Sequence, residues 1–251
     1  MRKGGLTFDE YMTDLGIDML HPGGLKKTDE LVEMCRITKN QEVLDVGCGY
    51  GKTACYLVKK YECRVTGIDV SKRMIEGSKI NAEKEGVEDF VIFEIGNAEN
   101  ILFNDEIFDV VISEGTTVLL MDKKQAIREY VRVTKPGGYV GLNELSWMKK
   151  PTTEIVNKTL NTLQRVRPLE YDEWVKLMID SGLKDIELKK YVYKSTSRDT
   201  ISSLGLHGLM KVGLRYLINS ELRDWIRKQE ALFRDYSSYW GYGLYAGRKS
   251  T

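Results

Sequence analysis

Proline, cysteine and histidine are all scarce in this chain of 251 residues, and each scarcity removes an option. With four prolines there is no Pro-rich linker, and no internal repeat or low-complexity tract stands out, so one domain with insertions is expected over residues 1–251. Four cysteines, at positions 35, 48, 55 and 63, form no CxxC pair and have only His21 nearby as another soft ligand. They read as reduced, packed thiols, which fits a cytoplasmic protein and no metal site. Charge of one sign is lacking too: 38 basic residues against 37 acidic ones leave +1. Such a chain has no global positive excess for nucleic acid backbones. Long apolar runs are also missing. The start, MRKGGLTFDEYMTDLG, offers no signal-peptide core. Residues 201–218 are interrupted by His207, Lys211 and Arg215 and are short for a bilayer, so no stable membrane insertion is expected.

What is present is an alternation of short β-branched runs with amphipathic stretches, the pattern of βαβ units on a parallel sheet. Strands are expected at 42–46, 64–69, 90–95, 108–113 and 139–144. Between them Ser71 is placed to cap a helix ended by Gly86, and Asp122 with Gln125 to open another stopped at Lys135-Pro136-Gly137-Gly138. Asp172 is read as the cap of a further helix ended by Gly182, before a strand at 183–193. Ser220 is read as the cap of a helix through Leu222, Trp225, Leu232 and Tyr236. The aromatic, Gly-rich tail can pair as a last strand.

The chemistry is concentrated in VLDVGCGYGKT, residues 43–53, where Gly47, Gly49 and Gly51 follow a strand that contains Asp45. Glycines in a strand-to-helix turn let the backbone approach a ligand closely. Spacing separates three kinds of glycine loop. A P-loop requires a first glycine where Val46 stands. A dinucleotide GxGxxG counted from Gly47 meets Lys52 at its third glycine, which weakens that reading without excluding it. Asp69 ends the second strand, where a carboxylate can accept both hydroxyls of a ribose, and would suit NAD as well.

The pattern DxGxGxG, followed by Asp69, Gly96-Asn97-Ala98, FDVVIS and VTKPGGYVGLNE, resembles the ordered motifs of class I, Rossmann-like S-adenosylmethionine-dependent methyltransferases over about 42–144. The resemblance implies an α/β fold with a seven-stranded, mostly parallel sheet, helices on both faces, an antiparallel last strand and a helical insertion as a lid. It implies a helical cap at 1–40, a cofactor-binding core at 41–145 and an acceptor-side half at 146–251 with the insertion at about 196–237. S-adenosylmethionine, leaving as S-adenosylhomocysteine, would lie against Asp45, Gly47, Cys48, Gly49, Gly51, Thr53, Asp69, Val70, Met74, Asn97, Ala98, Ser113 and Glu114. Asn97 departs from the usual Asp. After the fourth strand, SEGTTVLL lacks the Asn/Asp-Pro-Pro-Tyr/Trp signature of nucleic-acid-modifying members, which points to a small-molecule acceptor and no nucleic acid partner.

Ligands of open α/β sheets bind beyond the carboxyl ends of the strands, which makes Glu114 and Glu144 candidate catalytic groups; His21 is the third, because His21-Pro22-Gly23-Gly24 resembles an N-terminal segment that small-molecule members of the family fold over the cofactor. Plain strand-end, capping or turn roles stand beside them. Tyr11, His21, Trp147 and His207 are the candidate acceptor contacts, with core or lid packing the alternative for His207. The 201–218 segment is expected to be a lid over the acceptor, with contact at a lipid interface the second reading. An NAD-dependent oxidoreductase and a fold relative that binds without turnover remain the rival classes.

Overall fold

The computed structural model describes residues 21–193, 217 and 219–251. Helix α1 (Gly24–Met34) precedes β1 (Glu42–Val46), α2 (Lys52–Tyr61), β2 (Arg64–Asp69), α3 (Lys72–Glu85), β3 (Val91–Ile95), β4 (Phe108–Glu114), α4 (Lys123–Val133) and β5 (Thr134–Trp147). Then follow α5 (Thr153–Leu163), β6 (Leu169–Glu170), α6 (Tyr171–Asp180), β7 (Leu183–Val192), α7 (Ser220–Asp235) and β8 (Trp240–Lys249). The sheet order is β3-β2-β1-β4-β5-β8-β7, with the two-residue β6 pairing alongside β5. The seven expected strands therefore form the main path and β6 is an eighth, short addition. β1 to β5 pair in parallel; β8 runs antiparallel between β5 and β7.

The alternation of side chains along each strand builds two cores, one on each face. Val43, Val110, Ile112, Leu244 and Ala246 pack with α1, α2 and α3; Leu44, Val111, Val140, Leu142 and Tyr245 pack with α4, α5 and α6. All four cysteines are buried on the first side, where burial pushes their thiols upward and keeps them poor nucleophiles.

Helix starts follow local chemistry. Ser71 accepts from the Met74 N–H and Asp122 from the Gln125 N–H, and Gly86 closes α3 in the left-handed conformation that glycine tolerates. Two expected caps are displaced by one or two residues. Glu170, not Asp172, opens α6 through a reciprocal box with Glu173, and Asn219, not Ser220, caps α7 by accepting from the Leu222 N–H. In both cases a neighbouring polar side chain reaches the free N–H groups first. The expected lid at 196–237 lies outside the described residues except for 217 and 219–237. Among the described residues no helix is long and apolar enough to cross a membrane.

Candidate active site

The carboxyl ends of β1, β2 and β4 open on one cavity of about 580 Å³. Its floor is the turn between β1 and α2. Gly47, Gly49 and Gly51 all have positive φ, at 76°, 51° and 72°. They do different work. A Cβ on Gly47 would stand 2.0 Å from the Thr116 Oγ1, so the turn after β4 seats directly on it; a Cβ on Gly49 would meet nothing within 4 Å and would point into open space. Gly51 does not line the cavity. A Cβ there would hit Phe93 and Ser78, so this expected cofactor contact instead lets α2 pack on β3 and α3.

Four acidic residues line this cavity, Asp45, Asp69, Glu99 and Glu114, and three of them stand at the strand ends. Asp45 is buried, and its Oδ2 has no hydrogen-bond partner among the described residues. Burial first, then the charges of Glu114 and Asp69, raise its pKa well above the usual carboxylate range. A cation brought into contact would reverse that pressure. Asp69 accepts from the Gly49 N–H at 3.1 Å and the Ser71 N–H at 2.8 Å, which fixes its carboxylate at the mouth of β2. Glu114 is held by the Thr28 Oγ1–H at 3.0 Å, the Thr53 Oγ1–H at 3.3 Å and the Asn143 Nδ2–H at 3.1 Å.

His21 joins that network from the segment before α1. Its Nδ1 is 3.4 Å from Glu114 Oε1 and 3.2 Å from Asn143 Nδ2, and its Nε2 is buried without a partner among the described residues. Cys48, Thr53, Val70, Met74, Asn97 and Ala98 line the same cavity. Asn97 spends its Oδ1 on the Glu99 N–H at 3.0 Å.

The alternation that builds the two cores also removes two expected site residues. Ser113 and Glu144 sit on the opposite face from Glu114 and Asn143, because each is one residue away along its strand. Ser113 is fully buried, bonded to Thr117 Oγ1 at 2.8 Å, and does not line the cavity. Glu144 is likewise buried. It accepts from the Thr117 N–H at 2.8 Å and the Val118 N–H at 3.1 Å, so it is no catalytic base or acceptor clamp: it anchors the turn that follows β4. Burial pushes its carboxyl up to about 8, against the pull of those two N–H groups. Trp147 is corrected too. Its ring packs at a tilt 4.4 Å from that of Trp240 inside the core, since the aromatic tail pairs with β5 residue for residue. Tyr11 and His207 lie outside the described residues.

Several lining residues carry no sequence signal. Thr116, Leu119, Leu120, Leu145, Arg165 and Arg167 reach the cavity from the turn after β4, the end of β5 and the loop after α5. None belongs to a spaced motif, and only the fold brings them together.

An α/β sheet of this order, with a glycine turn beneath a cavity of carboxylates, defines a Rossmann-like site for a cationic nucleoside. Comparison with known proteins agrees. Residues 37–194 match the family model described as a methyltransferase domain, and the chain belongs to that family of S-adenosylmethionine-dependent methyltransferases. It is 32% identical over 176 residues to the methyltransferase GfsG of Streptomyces halstedii, covering 68% of this chain and 63% of that one. It is 30% identical to phosphoethanolamine N-methyltransferase 1 of Arabidopsis thaliana over 70% of its own length, but spans only 35% of that protein. The structure of Haemonchus contortus phosphoethanolamine N-methyltransferase 2 with S-adenosyl-L-methionine superposes with a TM-score of 0.78 over 100% of this chain and 62% of that one, at 19% identity, a likeness of fold.

Proposed function

We propose that the chain, 1–251, works as one unit that moves a methyl group from S-adenosylmethionine to a small-molecule acceptor, with His21 as the group that takes the acceptor's proton. The carrying observation is the buried Oδ2 of Asp45, without a hydrogen-bond partner among the described residues, in a cavity that also holds Asp69 and Glu114. A buried carboxylate oxygen without a donor is costly, and an ammonium group is the ligand that satisfies it. Asp45 would meet the amino group of the cofactor, the open side of Gly49 its amino-acid tail, and Asp69 its ribose hydroxyls. Val70, Met74, Asn97 and Ala98 would border the base. Bound there, the sulfonium supplies an electrophilic methyl and leaves as a neutral thioether, so no strong acid is required of the protein.

The remaining work is placement and proton removal. Holding two reactants near attack distance contributes roughly 7–11 kcal/mol, which is the largest single effect available here. A Nδ1–H directed at Glu114 leaves a lone pair on His21 Nε2, and general base catalysis of this kind contributes typically about 10²–10⁴-fold. Glu114 and Asn143 orient the ring. Four buried thiols suit a reducing compartment, and the cytoplasm is the proposed location.

The test is calorimetric titration with S-adenosylhomocysteine and NAD in parallel, followed by incubation with methyl-labelled cofactor and a metabolite pool. Binding of the first ligand and a labelled small product are expected. Preference for NAD would overturn the cofactor assignment; tight S-adenosylhomocysteine binding without any labelled product would leave a binding protein in place of an enzyme.

A further inference from the structure

The cavity is electrically lopsided. Asp45, Asp69 and Glu114 gather negative charge where β1, β2 and β4 end, with Glu99 and Lys52 also on the lining, whereas two arginines, Arg165 and Arg167, line it from the loop after α5. Between the two ends the lining is apolar, through Leu119, Leu120 and Leu145. Nothing in the binding of a cationic cofactor calls for the arginines.

Arg167 is held in place by its backbone and its side chain. Its main-chain N–H donates to Val118 O at 3.0 Å, and Val118 is itself anchored by the buried Glu144. Its Nη1 donates to Arg165 O at 3.1 Å, which brings the two arginines together. The side chain is half-buried and makes no ion pair with a carboxylate among the described residues. Arg167 also lies near Lys123, whose ammonium burial holds down at about 8 while Glu144 and Glu99 pull it up and Arg167 pushes it further down. A half-buried fork of N–H donors without a carboxylate on it among the described residues is matched best by a planar bidentate oxyanion.

We propose that Arg165 and Arg167 form an anion subsite for the methyl acceptor, so that the acceptor carries a carboxylate or a phosphate at the end remote from its nucleophilic atom. The assignment rests on the cofactor reading above, since it is the cofactor that leaves this end of the cavity to the acceptor. An anionic end in the fork would set an apolar body along the leucines and turn the nucleophile toward His21.

Inorganic phosphate and acetate, titrated separately into the complex with S-adenosylhomocysteine and followed by NMR or calorimetry, test it. Saturable binding is expected, weakened at least about fivefold by Arg167→Gln, while S-adenosylhomocysteine affinity stays within about twofold. Arg165→Gln should weaken the anion as well, Arg167→Lys should restore part of the loss, and Arg64→Gln, at the remote start of β2, should change nothing. Tighter phosphate assigns a phosphate monoester as acceptor; tighter acetate assigns a carboxylate. Non-saturating titrations, or an Arg167→Gln protein that binds the anion as well as the parent, overturn the subsite. If the parent protein fails to bind S-adenosylhomocysteine, the cofactor reading fails by itself, and the same phosphate titration of the ligand-free protein then decides whether the arginines take an anion.

Discussion

The two ends of the cavity are built in opposite ways. The cofactor end comes mostly from two adjacent strand-to-helix turns, where Gly47, Gly49 and Asp69 are fixed by short backbone hydrogen bonds within about one βαβ unit. The end proposed for the acceptor is assembled from His21, the turn at 116–121, Leu145 and Arg165 to Arg167, segments scattered over more than half the chain. One end is a local motif that any copy of the unit would reproduce. The other exists only when β4, β5 and the elements after them are packed.

If this partition holds, substitutions at the acceptor end should slow turnover and spare S-adenosylhomocysteine, and those at the cofactor end should do the reverse. His21→Gln carries the largest expected effect, a fall of about 10²-fold or more in methyl transfer, with cofactor-product affinity little changed. Equal losses in rate and in affinity would place His21 at the cofactor end and dissolve the distinction. Gly47→Ala comes next. Its Cβ would clash with Thr116 at a positive φ, and strain of that kind costs about 1–3 kcal/mol, so a loss of roughly 5- to 150-fold in S-adenosylhomocysteine affinity is expected by calorimetry. Asp69→Ala should weaken the same ligand by more than about tenfold, or about 1.4 kcal/mol, and an unchanged Kd would remove the ribose assignment.

The smallest effect sharpens the contrast on the far face. Glu144 has its folded pKa raised by burial to about 8, above the ordinary carboxylate value, so the folded state holds a proton that the unfolded chain has released. Its contribution to stability is present in full below the unfolded pKa and is lost as pH rises through about 8. Thermal unfolding of the parent protein should therefore show a decline in Tm between roughly pH 5 and 8 that Glu144→Gln flattens. Parallel profiles would show that the two N–H donors keep the carboxylate ionised throughout.

Legibility followed the same division. The strand-turn-helix units announced themselves through apolar periodicity and glycine spacing, and the caps at Ser71 and Asp122 read correctly because the hydrogen bond closes within three residues. Asp172 and Ser220 did not, since two neighbouring polar residues competed for each set of N–H groups. Glu144 and Ser113 looked like rim residues because rim position depends on strand end and face together, and the register of β5 against β4 decides the face. Trp147 read as an acceptor contact because the sequence does not show that β8 pairs with β5 and brings Trp240 against it.

By itself the sequence determined the α/β alternation, the glycine turn and the acid at the end of β2, because each is a short-range consequence of backbone conformation and strand period. Only the tertiary structure decided that Gly51 packs against Phe93, that Glu144 anchors a turn, and that Arg167 shares a cavity with Asp45. Those relations link positions far apart in the chain, and packing, which has no one-dimensional signature, is what sets them.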